Sequence, residues 1–149
     1  MDWFVVAFLK ASLTWLTCGV TLGVAIAAHP AWTAYYPAHT HMNLLGFVAM
    51  MIYGIAYHVI PRFVGRPLYS RRLAAYQWWA SNAGLALLVV GFVLRPGGHP
   101  GATPVLVSGG VLAAFGAYGF AFNIWRTIAQ APLRRSSPRT VKLPIATDL

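Results

Sequence analysis

The sequence predicts an all-α integral membrane protein built as a four-helix bundle, and three observations predict it. Four apolar runs stand at roughly 3–28, 37–60, 73–95 and 103–126, each close to or above the roughly 20 residues that a helix needs to cross a bilayer. Hydrophobic residues make up 58% of the 149 residues, and the mean hydropathy is +0.62. Charged residues are 9% of the chain, where a soluble domain carries about 25%.

The first run is longer than a secretory apolar core, and no small-residue cleavage site follows it, so a retained helix is expected. It carries Gly19, Gly23 and Ala27 at four-residue spacing. Such stripes of small residues let helix backbones approach where lipid offers no hydrophobic drive. The second run opens at His39 and His41 and holds Gly46, Ala49 and Gly54. The third has Ala80 and Gly84; the fourth repeats the stripe with Gly109, Ala113, Ala117 and Ala121. Between the last two lies "RPGGHPGATP", a turn signal. Residues 1–130 are expected to form one membrane domain. Residues 131–149, Pro-rich and basic, are expected to form a largely unstructured cytoplasmic tail.

A net charge of +9 raises the question of nucleic acid, and the distribution of the charge answers it. Arg62, Arg66, Arg71 and Arg72 lie between the second and third runs, and Arg126, Arg134, Arg135, Arg139 and Lys142 at or after the end of the fourth. Lys10 lies near the start of the first. Arg95 alone borders an opposite loop. This is a topology signal with some affinity for anionic lipid, not a nucleic-acid footprint. It places both termini in the cytoplasm. A single cysteine, Cys18, excludes an internal disulfide and a Cys-x-x-Cys metal site.

Topology sorts the histidines. His29, His39, His41 and His99 fall on the outer side and His58 near the inner end of the second helix, about 28 Å from His39 at about 1.5 Å per residue. Residues two apart on a helix point about 200° apart. If His39 and His41 are both helical, they serve two sites; if that turn is frayed, they can chelate one ion. Three readings stand side by side. In the first, the pair only caps the helix at the interface. In the second, His29, His39, His41 and His99 form an outer copper or zinc site, which needs three or four ligands. In the third, haem iron binds His39 or His41, with Arg95 pairing a propionate.

The stretch "AHTHMNLLGFVAMMIYGIAYHVIPRF" resembles a late transmembrane helix of the haem–copper oxidase catalytic subunit, closest to the cbb-type oxidases and nitric oxide reductases. The resemblance rests on His39 and His41, Leu45-Gly46-Phe47, Gly54, Tyr57 and Pro61-Arg62. "RPLYSRRLAAYQWWASNAGLALLVVGFVL" resembles the next helix of that subunit. The match covers roughly residues 35–95. It implies that His39 is a ligand of the active-site haem and His41 of the low-spin haem, and that Arg95 lies near the propionates. His58 stands where the family shows an aromatic residue and inherits no ligand role. The family's copper-ligand histidines have no counterpart here, so oxygen reduction at a haem–copper pair is not implied.

The resemblance implies a fold like one four-helix arc of that subunit. A lone arc exposes its haem-binding faces, so self-association is expected, with a trimer preferred and a dimer as the alternative. The leading expectation is a membrane protein that binds haem b, in electron transfer or in binding NO or O₂, in a bacterial-type inner membrane and with a redox partner or respiratory subunit. The alternatives are an outer-face copper or zinc protein and a cofactor-free scaffold beside a respiratory complex.

Overall fold

The structure is a computed structural model, and it describes residues 1–130. The expected tail, 131–149, lies outside the described residues. Four helical spans run antiparallel through short connections: Trp3–Ala28, Pro30–Val64, Arg71–Leu94 and Ala102–Ala129. There is no strand among the described residues. All four spans are long and apolar enough to cross a membrane.

The second span departs from the single helix expected over 37–60. It begins in a 3₁₀ stretch, Pro30–Tyr35, ahead of the apolar run. It continues as an α-helix over Tyr36–His41, a π-helix over Met42–Ala49 and an α-helix over Met50–Val64. The π stretch starts where the Asn43 side-chain amide donates to the His39 carbonyl at 2.9 Å, one turn back. That carbonyl is the ordinary partner of the Asn43 backbone amide, and side chains that compete for it bend helices. Wider i→i+5 bonding then rotates every later residue relative to a plain α-helix. The span ends at Gly65, whose φ of 64° is left-handed and suits a residue without Cβ.

Polarity is inverted relative to a soluble protein. Val24, Ile52, Phe115 and Tyr118 face outward, while Ser12, Gln77, Asn123 and Thr127 are buried. Polar groups that cannot meet water belong inside a membrane bundle. The core is aromatic. Phe4 stands edge-on to Tyr57 at 5.7 Å, Phe8 to Tyr53 at 5.7 Å, and Phe120 packs 4.5 Å from Tyr53.

The small residues serve contacts within the chain. A Cβ on Gly84 would meet the Ala113 backbone nitrogen at 2.5 Å, and one on Gly109 the Leu88 nitrogen at 2.7 Å, so the third and fourth spans touch backbone to backbone. Gly46 lies under Trp15 and Leu85, and Gly54 under Leu9 and Phe8. The stripe on the first span receives the second: Gly19 faces Asn43 and Gly23 faces His39.

The connection into the third span is tied to the fourth. Asn123 accepts from the Ser70 amide at 3.0 Å and donates to the Ser70 carbonyl at 2.9 Å. The Tyr69 amide donates to Thr127 Oγ1 at 3.0 Å. Ser70 Oγ in turn caps the third span by accepting from the Leu73 amide at 3.1 Å. Arg71 pairs with Asp2, and Arg126 lies 5.0 Å over the Tyr69 ring. The N-terminus, the 65–70 turn and the end of the fourth span therefore share one end of the bundle. Arg95 and the histidine pair lie at the other.

Candidate functional site

His39 and His41 both lie in the α-helical turn Tyr36–His41, so their rings leave the helix on different sides. The His39 ring turns to the first span. Its Nδ1 lies 2.8 Å from the Gly19 carbonyl, and the ring rests where a Cβ on Gly23 would come within 2.6 Å of Cε1. The His41 ring turns to the third span, with its centroid 4.8 Å from that of Phe92.

The tautomer of each ring follows from its partner. A carbonyl oxygen only accepts, so the ring nitrogen facing it carries the hydrogen. His39 donates Nδ1–H to Gly19, and His41 donates Nδ1–H to the Pro37 carbonyl at 2.8 Å. The 3.4 Å approach of Asn43 Nδ2 to His39 Nδ1 brings two donors together and is not a hydrogen bond. In the neutral form of either ring Nε2 then keeps its lone pair, and neither Nε2 has a hydrogen-bond partner among the described residues. Metal-binding histidines are held this way, with the far N–H given to a carbonyl that fixes ring and tautomer.

His41 also borders a half-enclosed cavity of about 300 Å³ among the second, third and fourth spans. Its second-span wall steps from His41 through Leu45 and Ala49 to Tyr53, across the π stretch. The opposite wall is small: Gly110, Ala113, Ala114 and Ala117. Ser81 supplies a hydroxyl from the third span, and accepts from Gln77 Nε2 at 3.3 Å. His39 does not line this space. Of the three small residues of the second span, Ala49 borders the cavity, while Gly46 and Gly54 are covered by neighbouring helices.

The other candidates fall apart spatially. Arg95 is exposed and opens a short 3₁₀ turn one turn beyond Phe92, at the same end as His41. His29 packs tilted against Trp32 with ring centroids 5.4 Å apart, and His99 lies in the connection between the third and fourth spans, beside Gly97. No three His, Cys, Asp or Glu side chains gather into a metal-holding group among the described residues. His29, His39, His41 and His99 thus do not form the cluster that a copper or zinc site needs. His58 sits at the arginine-bearing end, where Arg62 donates to its carbonyl.

Residues 3–147 match the family profile described as Cytochrome C and Quinol oxidase polypeptide I. The chain belongs to this family. It is 26% identical over 147 residues to Cytochrome c oxidase subunit 1 of Rhodobacter capsulatus, a match to 82% of this chain and 26% of that protein. It is also 26% identical over 133 residues to Cbb3-type cytochrome c oxidase subunit CcoN1 of Stutzerimonas stutzeri, with 72% of this chain and 27% of that protein covered. The chain spans about a quarter of the length of these curated relatives. As a member of the cytochrome c and quinol oxidase polypeptide I family with four membrane-spanning helices, it is a multi-pass membrane protein.

Sequence reasoning missed several site residues. Phe92, Tyr53 and Ser81 carry no local signature. Asn43 did, standing one turn after His39 in an apolar run.

Proposed function

We propose that this chain binds haem b through His41 and serves electron transfer or the binding of a diatomic gas, NO or O₂. The observation that carries the reading is the His41 ring. Its Nδ1–H is spent on the Pro37 carbonyl, and its ring borders an apolar cavity walled by glycine and alanine. A flat apolar macrocycle needs such walls, and its iron needs a neutral imidazole nitrogen. His41 would hold the iron, Phe92 would keep the ring in place, and Arg95 at the same end would pair with a propionate. Bound haem would supply a one-electron couple or bind a diatomic gas.

His39, on the other face, is the matching candidate for a second haem. The cavity holds one histidine and is half-open, which is the ground for proposing self-association: a neighbouring copy would close the site. We infer a homo-oligomer, a trimer before a dimer, in a bacterial-type inner membrane with both termini cytoplasmic. The shared end of Asp2, Arg71 and Arg126 supports that topology through the positive-inside rule. The test is the visible spectrum of protein purified from cells supplied with haem precursors. A Soret band in the wild type that is lost in His41→Ala supports the reading, and its absence from the wild type refutes it.

A further inference from the structure

At the arginine-bearing end lies a second, larger groove, of about 420 Å³, remote from the histidine pair. Its rim carries Arg62, Arg66 and Arg71, and its floor is Tyr57, Pro61 and Leu68. Asp2 also lines it and neutralises Arg71. Arg62 spends one N–H on the His58 carbonyl, and neither Arg62 nor Arg66 has an acidic partner among the described residues. The groove therefore keeps two uncompensated guanidinium groups above an apolar floor. Backbone amides of the turn are already used: Gly65 donates to the Arg62 carbonyl and Arg66 to that of Pro61. Recognition of an anion falls on the side chains.

We propose that this groove is a binding site for the phosphate headgroup of an anionic lipid. Guanidinium groups match phosphate oxygens in a planar fork. The groove lies at the end of two spans, where headgroups meet the protein, and Phe63 beside Arg62 is 87% exposed, as suits a side chain set among acyl chains. A free inorganic phosphate would satisfy the arginines but not the apolar floor. The assignment is independent of haem binding, since no groove residue borders the His41 cavity.

Native mass spectrometry of the full chain in detergent tests this, with phosphatidylglycerol, phosphatidylcholine and inorganic phosphate as probes. The groove variant is Arg62→Gln with Arg66→Gln. The control is Arg72→Gln with Arg126→Gln, which removes the same charge from exposed positions outside the groove. Phosphatidylglycerol should bind the wild type in preference to phosphatidylcholine. The groove variant should lose roughly five-fold in affinity per arginine, and the control little. Equal losses in both variants would reduce the site to a diffuse basic surface and overturn the proposal. Equal binding of the two lipids, or displacement of phosphatidylglycerol by millimolar phosphate, would overturn it too. Hydrogen exchange on the wild type needs no variant: phosphatidylglycerol should protect amides around 65–71, and protection no greater there than elsewhere would contradict the proposal.

Discussion

His39 gives its Nδ1–H to the Gly19 carbonyl at 2.8 Å, and this bond fixes which way the histidine pair divides. It ties the second span to the first and holds His39 on the face away from the cavity that His41 borders. Gly23, one turn on from Gly19, leaves the space in which the His39 ring lies.

Gly23→Leu should therefore expel the His39 ring. A Cβ alone would meet Cε1 at 2.6 Å, and overpacking of this kind costs about 1–3 kcal/mol. Thermal unfolding in detergent should show the loss. A Gly23→Leu protein as stable as the wild type would mean that His39 is not seated on the first span.

Closer packing occurs between the third and fourth spans. Gly84→Ala would drive a Cβ against the backbone of Ala113, which cannot swing aside as a side chain can. A destabilisation of about 1–3 kcal/mol is expected. Gly101→Ala is the contrast: nothing lies within 4 Å of its Cβ, and its φ is −76°. That change should be neutral or slightly stabilising. Denaturant titration of the two variants distinguishes them.

Asn123→Leu would strand the amide of Ser70 and leave its carbonyl with the Ala74 amide alone. Leaving a buried polar group unpaired costs about 1–3 kcal/mol. The Tyr69–Ser70 connection should open, and hydrogen exchange at the start of the third span should rise. Unchanged exchange there would contradict its anchoring role.

Much of this fold was legible because membrane spans announce themselves by length and apolarity, and four were expected and found. The separation of His39 from His41 was conditional on a helical turn, and Tyr36–His41 is helical. The π stretch was not legible. It depends on Asn43 capturing a carbonyl, and nothing in an apolar periodicity distinguishes an i→i+5 bond from an i→i+4 bond. The partners of the glycine stripes were also hidden: spacing marks a face, while only the folded chain shows that Gly84 meets Ala113 and Gly23 meets His39. Tyr53, Ser81 and Phe92 reach the site through tertiary packing alone.

The cavity itself yields a prediction that leaves its histidine untouched. Ala117→Phe fills space bordered by the small wall. Haem content should fall sharply while helicity by circular dichroism is retained. Full haem occupancy in a folded Ala117→Phe protein would place the ligand elsewhere.

The most direct test of haem at His41 is the reduced-minus-oxidised visible spectrum of the wild type, His41→Ala and His58→Ala, each purified in the same detergent. A b-type spectrum in the wild type, lost or strongly shifted in His41→Ala and nearly unchanged in His58→Ala, is the expected result. A spectrum that survives His41→Ala and vanishes in His58→Ala would move the site to the arginine-bearing end and contradict the account.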